Sequence, residues 1–269
     1  MIWVNGVLSD TLPITDRGLL YGDGVWETIA IVHGQPQRLS WHLERLLQGL
    51  QALAIPAPDM TQWVTEILQA CQGRDSAVLK LIVTRGQGMR GYNPRECQQP
   101  TRIAQISARY VYPAAYAQQG IRLALCETRL AQQPRLAGFK HLNRLEQVLA
   151  RAEFDTDYQE GLVRDTADKI IEGTMSNVFL IQADGSVDTP ELTQCGIAGI
   201  MRRVVLQVLH EWEIPYRIGA LSLADMHSCS AIFMTNSLIG IWPVREFMGK
   251  AYPVAPLITE LQTKVNAIT

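Results

Sequence analysis

The chain has 269 residues, of which 47% are hydrophobic and 19% charged, a composition typical of globular proteins with one large or two modest cores. Its formal charge of -2 gives no field to attract nucleic acid or anionic lipid, and no run approaches the roughly 18 apolar residues of a membrane span. The five cysteines are far apart and form no Cys-x-x-Cys pair, which argues against a disulfide frame and favours a reducing cytoplasm.

The first half of the chain predicts strands, two helices and further strands. Short apolar runs between turn signals over 1–34 predict a meander of strands. From Ser40, the expected N-cap, the apolar period becomes helical, and a second helix is expected at 60–72. The glycine-rich segment 85–94 is expected to be a loop. The strands on either side of it are predicted at 77–84 and 103–111.

The second half begins after a segment without an apolar period. That segment, 112–120, is expected to connect an N-terminal lobe at 1–111 to a C-terminal lobe at 121–269. An irregular stretch ends at Lys140, and an amphipathic helix should follow it. The apolar face of this helix is predicted to contain Leu142, Leu145, Val148, Leu149 and Ala152. Further strands are predicted at 121–128, 161–171, 177–182, 231–234 and 239–244, and a further helix at 201–212. The class is therefore α+β in two lobes, with mixed, largely antiparallel sheets.

Lys140 is the first candidate for chemistry. It follows the irregular sequence Leu-Ala-Gly-Phe, and such a joint can direct a side chain into a cleft. A lysine amine becomes a nucleophile only in apolar or cationic surroundings, since its ordinary pKa keeps it protonated. The alternative is a solvated lysine at a helix start.

Glu172 is the second candidate. It stands with Gly173 between two apolar runs, where a carboxylate could pair with a protonated heterocyclic nitrogen. The alternative interpretation is a β-turn with an exposed acid.

The segment 196–202 could bind a phosphate. It leads from two glycines into a periodic helix, and the first N–H groups of a helix attract an anion. Arg45 on the first helix could bind the same phosphate in a bidentate manner, although a lone arginine is more often a surface residue.

The loop 85–94 holds Arg90 and Tyr92, which suit a substrate carboxylate. An ordinary basic surface loop is the alternative. The sequence has no His, Cys or Asp cluster with metal-ligand spacing, so no metal is expected.

Several segments, in this order and at these separations, resemble the fold-type IV enzymes that use pyridoxal 5'-phosphate (PLP). The resemblance covers practically the whole chain and implies a cofactor site between two α/β domains. The segments are DRGLLYGDGVWETI at 16–29, HLERL at 42–46, TRGQGMRGY at 84–92, KHLNRLEQVLARAE at 140–153, EGTMSNVFL at 172–180, GIAGIMR at 196–202 and TNSLIGIWPV at 235–244.

The resemblance implies a role for each matching residue. Lys140 would bind PLP covalently and act as general acid and base, and Glu172 would pair with the pyridinium nitrogen. The phosphate would be bound by Arg45, the N–H groups of Ile200 and Met201, and Asn236 or Ser237. The family also implies a homodimer in which Arg90 and Tyr92 reach the neighbouring chain's site, facing Trp26 and Thr28.

Three functions remain open on this resemblance. The segments around Lys140 and Arg90 look most like those of 4-amino-4-deoxychorismate lyases, which act on a small molecule in folate synthesis. The second candidate is a D-amino-acid or branched-chain aminotransferase, which would share all the cofactor-binding residues. The third is a PLP-binding protein without enzymatic activity.

Overall fold

The computed structural model describes residues 1–267. The chain divides into two compact units. The first comprises Met1–Tyr110 and Phe139–Asn143, and the second comprises Val111–Gly138 and the residues from Arg144 onward. The segment that contains Lys140 therefore belongs to the first unit, whereas the sequence suggested the C-terminal lobe.

The first unit is an antiparallel six-stranded sheet with helices. The strand order is β2-β1-β6-β5-β3-β4. Its elements are β1 (Ile2–Val4), β2 (Val7–Leu8), α1 (Arg17–Tyr21), β3 (Gly24–Val32), β4 (Gln35–Pro36), α2 (Leu39–Ala52), α3 (Met60–Cys71), β5 (Ser76–Thr84) and β6 (Thr101–Ala108).

Strand β3 separates two environments in this unit, because successive side chains of a strand point to opposite faces. Val25, Glu27 and Ile29 are buried on the face where α2 packs, and Trp26 and Thr28 occupy the opposite face, half-exposed. The helices thus cover one side of the sheet and leave the Trp26 side accessible within the unit.

The second unit contains a mixed nine-stranded sheet with helices. The order is β12-β11-β10-β13-β14-β7-β8-β9, and β15 pairs with β14. The β7–β8, β7–β14 and β11–β12 pairs are parallel and the other pairs are antiparallel. The elements are α4 (Ala114–Gln118), β7 (Ile121–Leu130), α5 (Leu145–Ala152), β8 (Glu160–Asp165), β9 (Ile170–Gly173), β10 (Asn177–Ile181), β11 (Val187–Pro190), α6 (Ile200–Glu211), β12 (Tyr216–Gly219), α7 (Leu223–Ser228), β13 (Ala231–Asn236), β14 (Gly240–Phe247), β15 (Lys250–Ala251) and α8 (Pro256–Ala267).

The predicted α+β class with mixed, largely antiparallel sheets is confirmed, whereas several local predictions were wrong. Within the meander of strands predicted at 1–34, Arg17–Tyr21 instead forms helix α1, since the Asp16 carboxylate accepts the Gly18 N–H at 2.8 Å and caps it. The predicted connection contains α4, and the strand predicted at 161–171 is the hairpin β8–β9. Helix α2 begins before Ser40, with Arg38 in the left-handed conformation as its N-cap.

Among the described residues, no helix combines the length and apolar character needed to cross a membrane.

Candidate active site

Lys140 lies on a short segment that pairs with the beginning of β3. The Trp26 N–H donates to the Lys140 carbonyl at 2.9 Å, and the Leu142 N–H donates to the Gly24 carbonyl at 3.0 Å. The Trp26 indole N–H also donates to the His141 carbonyl at 3.2 Å. Since α5 begins only at residue 145, Lys140 is not a residue of a solvated helix start.

Gly24, the first residue of β3, and Gly22, which precedes the strand, allow this pairing. A Cβ at Gly22, whose φ is 65°, would lie 2.6 Å from Oδ1 of Asn143. A Cβ at Gly24 would lie 2.5 Å from the Val83 carbonyl oxygen and 2.8 Å from Cδ1 of Leu142. Larger residues would push the Lys140 segment away from β3, which explains the Gly22-Asp23-Gly24 sequence.

The Lys140 amine rests on the Trp26 indole. Its Nζ lies 3.7 Å from the ring centroid, and Nζ of Lys80 lies 4.7 Å from the same centroid. Burial lowers the pKa of Lys80, and Lys80 is the cross-strand partner of Thr28. The predicted substrate residues Trp26 and Thr28 therefore share a sheet face with two amines. Lys80 was not predicted, since a single lysine in a strand forms no motif.

Arg45 is held by a buried carboxylate. Its Nε and Nη2 donate to the two oxygens of Glu27 at 2.8 and 2.6 Å, and His42 Nδ1 lies 2.6 Å from the same carboxylate. Burial alone would raise the pKa of Glu27, but Arg45 and His42 outweigh it and lower this pKa. Burial also lowers the pKa of His42, partly offset by Glu27, so a neutral His42 donates to the carboxylate. Arg45 is thus oriented, and its role as phosphate ligand stays a prediction.

Glu172 is a buried residue of β9, only 4% exposed, so the interpretation as an exposed turn acid was wrong. Its Oε2 accepts the Ile197 N–H at 2.8 Å. A Cβ at Gly196, whose φ is 86°, would lie 2.7 Å from Cγ2 of Ile171 and 2.8 Å from Cδ2 of Leu192. Glycine at 196 therefore allows the main chain to approach the carboxylate and hold it.

The start of α6 is kept open by a second glycine. Asn177 Nδ2 donates to the Ile197 carbonyl at 2.9 Å, and a Cβ at Gly199 would lie 2.0 Å from Oδ1 of Asn177. Gly199 is the N-cap and contributes no side-chain hydrogen bond. The N–H groups of Ile200 and Met201 lie in the first turn, where the helix dipole favours an anion. Asn177 was not predicted, because its partners lie about 20 residues away.

Asn236 and Ser237 lie at the turn between β13 and β14. The Asn236 amide donates to the Met175 carbonyl at 3.0 Å and accepts the N–H groups of Leu238 and Ile239 at 2.8 and 2.9 Å. This side chain joins the turn to the segment that follows Glu172. Contact of either residue with a phosphate stays a prediction.

Glu160 holds the same segment and was missing from the predictions. It accepts hydrogen bonds from the Ser176 hydroxyl at 2.7 Å, from the Gly161 N–H at 2.9 Å, and from the hydroxyl and N–H of Thr174. Burial raises the pKa of Glu160 even though these donors oppose it. Its position at the first residue of a strand gave no motif from which this role could be inferred.

Arg90 and Tyr92 are exposed on the loop between β5 and β6, with Tyr92 83% exposed. Both belong to the first unit. The Tyr92 ring meets the Tyr21 ring edge to face, with 5.3 Å between centroids.

Metal and thiol chemistry have no candidate site in the part of the chain that the structure describes. Within residues 1–267, no group of three or more His, Cys, Asp and Glu side chains is placed to hold a metal ion. All five cysteines are buried and free. Burial raises the pKa of Cys71 and Cys229 to about 11 and that of Cys126 and Cys195 to about 12, so these thiols stay protonated.

A family model, curated relatives and solved structures that resemble this chain agree with one another. The family described as amino-transferase class IV matches residues 24–247. An aminodeoxychorismate lyase of Vibrio harveyi is 37% identical over 99% of this chain and 100% of its own length. A putative branched-chain-amino-acid aminotransferase of Methanocaldococcus jannaschii is 33% identical, over 93% of this chain and 88% of its own. The crystal structure of 4-amino-4-deoxychorismate lyase from Pseudomonas aeruginosa matches with a TM-score of 0.95 and 44% identity, over 99% of this chain and 98% of that one. The resemblance inferred from the sequence segments is confirmed, and the chain belongs to the class IV aminotransferase family.

Proposed function

We propose that this chain is a PLP-dependent lyase that converts 4-amino-4-deoxychorismate to 4-aminobenzoate and pyruvate in folate biosynthesis. The observation that carries this function is similarity along the whole chain to two enzymes named for the lyase activity, one by sequence and one by structure. The proposed location is the cytoplasm, in keeping with the free cysteines.

The residues present fit PLP in three respects. The buried Glu172 carboxylate, held by the Ile197 N–H, suits a protonated pyridine nitrogen. The helix start at Ile200, after an N-cap without a side chain, suits a phosphate. Lys140, positioned by hydrogen bonds to β3, provides the amine that an aldehyde requires.

The proposed steps depend on residues of this chain. When bound, PLP withdraws electrons from the amine-bearing carbon of the substrate and makes its C–H bond acidic. Lys140 Nζ accepts that proton as general base. Loss of this proton breaks the C–O bond at the neighbouring carbon and releases enolpyruvate, which takes up a proton to become pyruvate. Aromatisation makes the reaction effectively irreversible. Glu172 keeps the ring nitrogen protonated throughout.

The remaining site residues bind groups that do not react. The N–H groups of Ile200 and Met201, with Asn236 or Ser237, hold the phosphate, and Arg45 contributes its charge. The orientation of Arg45 by Glu27 supports this role, since a bidentate ion pair leaves the guanidinium plane one orientation.

The substrate residues require two copies of the chain. Trp26 and Thr28 share a face with the Lys140 amine, and Arg90 and Tyr92 are proposed to reach the site of the neighbouring chain in a homodimer. The exposure of Tyr92 fits this assignment, because a side chain that serves a neighbouring chain must be accessible on its own chain.

Helix α5 supports the homodimer independently. Its apolar stripe, predicted to face a core, is exposed: Leu145 is 76% exposed, and Val148 and Leu149 are each 60% exposed. Ala150 is the buried residue of this helix. A continuous apolar stripe on a helix surface is typical of an interface, and a second copy would bury it.

One incubation separates the lyase from the aminotransferase that the Methanocaldococcus relative suggests. Purified enzyme is mixed with aminodeoxychorismate in the absence of a keto acid. The lyase releases pyruvate and 4-aminobenzoate in equal amounts. A requirement for a keto acid before turnover would identify an aminotransferase and contradict the proposal.

Spectroscopy tests the alternative that this chain binds PLP but is not an enzyme. Wild type should show the visible absorbance of PLP bound to a lysine, and Lys140→Ala should lose both that absorbance and turnover. Absorbance without turnover on aminodeoxychorismate or on amino donors would favour the non-enzymatic protein. Borohydride reduction followed by peptide mapping should place the label on Lys140, and a label elsewhere would refute the assignment.

A further inference from the structure

Arg17, the first residue of α1, is a buried arginine to which the proposed function gives no role. Its residue exposure is 3%, and it contacts the loop that carries Arg90 and Tyr92. Nη1 donates to the Gly91 carbonyl at 2.9 Å, and Nη2 donates to the Tyr92 carbonyl at 3.0 Å. The Arg17 N–H donates to the Gly86 carbonyl at 2.9 Å. One residue therefore holds the loop between β5 and β6 near its start and near its middle.

The loop also packs closely against the Arg17 side chain. A Cβ at Gly88 would lie 2.8 Å from Cδ of Arg17 and 2.8 Å from Sγ of Cys97, so the chain passes there at a distance that only glycine allows. The Arg17 guanidinium lies 4.8 Å from the centroid of the Tyr21 ring, and that ring contacts Tyr92. Packing and hydrogen bonds thus define the same loop position.

Asp23 balances the buried charge and links Arg17 to a second arginine. Arg17 Nε donates to Asp23 at 2.9 Å, and Arg85 Nε donates to the same carboxylate oxygen at 2.7 Å. Arg85 is also buried, but its other donors bind the carbonyls of Leu53 and Ala54 after α2. Arg85 is a residue of the same loop and shares Asp23 with Arg17. The matched control is therefore Arg102 of β6, whose side chain is 12% exposed and forms an ion pair with Glu66 of α3.

We propose that Arg17 is the positioning residue for the loop that presents Arg90 and Tyr92 to the substrate. It holds the main chain of Gly91 and Tyr92, while the side chains of Arg90 and Tyr92 stay exposed. Holding the main chain reduces the number of loop conformations that a substrate must select, and so improves its binding. This inference rests on the proposed function for the substrate role of Arg90 and Tyr92.

The test compares Arg17→Lys with Arg102→Lys in the PLP-loaded enzyme. Lysine keeps the charge but cannot donate in the three directions of the guanidinium. In Arg17→Lys, KM for aminodeoxychorismate should rise about tenfold, as expected for loss of loop order, with kcat within about threefold of wild type. The visible absorbance of bound PLP should not change, because Arg17 does not contact the proposed cofactor residues.

Limited proteolysis reports the loop position without any assumption about the substrate. Trypsin cleavage after Arg90 should be about tenfold faster in Arg17→Lys, because a protease needs a locally mobile chain. In Arg102→Lys, which shares no partner with Arg17, both KM and this cleavage rate should stay within about twofold of wild type. Unchanged KM and cleavage in Arg17→Lys, or equal changes in Arg102→Lys, would overturn the proposal.

Two further outcomes are informative. If Arg17→Lys does not fold, Tyr21→Leu removes the ring contact with Tyr92 without altering a buried charge. Cleavage after Arg90 should then accelerate, and an unchanged rate would overturn the proposal. If Arg17→Lys is cleaved faster but the wild-type enzyme releases no pyruvate from aminodeoxychorismate, Arg17 still positions the loop and the proposed function has failed.

Discussion

The candidate side chains are oriented mainly by neighbours that are remote in the sequence. Glu27 orients Arg45, the Ile197 N–H holds Glu172, and main-chain hydrogen bonds from β3 hold Lys140. Each of these contacts replaces part of the water that a polar group loses on burial. The chemistry of a residue is therefore inseparable from the few groups that fix its position.

The role of Glu172 can be tested by removing its charge and keeping its shape. In Glu172→Gln, the amide oxygen can still accept the Ile197 N–H, but no carboxylate remains to keep the ring nitrogen protonated. We expect kcat to fall about 100-fold, a magnitude typical for loss of an electrostatic partner, in steady-state assays with saturating PLP. Glu246→Gln, a partly exposed glutamate of the same unit paired with Arg122, should leave kcat unchanged. A rate for Glu172→Gln within a few-fold of wild type would refute the pyridinium assignment.

Alanine substitutions at Gly196 and Gly185 separate the effect of backbone strain from that of side-chain crowding. Gly196 and Gly185 have nearly the same φ, 86° and 84°, but a Cβ meets three side-chain atoms at Gly196 and open space at Gly185. Gly185→Ala should lower the free energy of unfolding by about 1 kcal/mol from its positive φ alone. Gly196→Ala should lower it further and also reduce kcat, since the Ile197 N–H would move away from Glu172. If urea unfolding and kcat show equal effects for Gly185→Ala and Gly196→Ala, crowding at 196 is unimportant.

The candidate residues were chosen from signals visible in the sequence, whereas most of the side chains and N–H groups that hold them gave no such signal. Lys140, Glu172 and the helix start at 200 stand beside glycines or at changes of period, which are visible in the sequence. Glu160 and Asn177 act through hydrogen bonds to residues that no local pattern identifies. Partner identity depends on the tertiary fold, and one sequence does not specify it.

For the helices and strands, the hydrophobic period predicted which elements exist but not which of their side chains are buried. The period predicted the existence of α2, α3, α5 and α6, and the turn signals located most strands. The period did not predict that α5 would expose its apolar stripe, or that α2 would bury His42 and Arg45. Burial of a polar side chain depends on a partner on another element, here Glu27 on β3.

The buried contact between His42 of α2 and Glu27 of β3 predicts that stability depends on pH. Because burial lowers the pKa of His42, the unfolded chain gains a proton below about pH 6.5 that the folded chain does not bind. The free energy of unfolding should therefore fall as the pH decreases. Glu27, whose pKa is also lowered, adds a further loss at more acidic pH.

His42→Asn should reduce this slope, because its amide can donate to Glu27 but does not titrate. The measurement is urea unfolding at several values between about pH 7.5 and 5.5, the range in which an unfolded histidine titrates. His33→Asn is the control, since His33 is exposed, with 83% of its side chain accessible. An identical slope for wild type and His42→Asn would contradict the assignment of a neutral buried His42.

At the scale of the whole molecule, the chain crosses between its two units more than once. Phe139–Asn143 belongs to the first unit although it is flanked by residues of the second. The sequence predicted a single connection between the lobes at 112–120, because that segment has no apolar period. The return of five residues to β3 is a long-range pairing, which local patterns do not contain.

The proposed homodimer predicts complementation between two inactive variants. If Arg90 serves the neighbouring chain, a heterodimer of Lys140→Ala with Arg90→Ala contains one site with both an intact lysine and an intact arginine. Its activity should be about half that of the wild-type dimer, since one of two equivalent sites is complete. Each variant alone should be nearly inactive. If Arg90 acts within its own chain, the heterodimer has no complete site and stays inactive.

The stripe on α5 provides the control for that experiment. A charge placed by Val148→Glu in both variants would have to be desolvated at the interface, which is unfavourable without a partner. The mixture should then remain inactive, and light scattering should detect monomers. Ile218→Glu, at a residue of β12 that is 48% exposed, lies outside the stripe and should leave complementation intact. Dimers that persist with Val148→Glu would show that another surface joins the chains, while restored activity would still locate Arg90 in the neighbouring site.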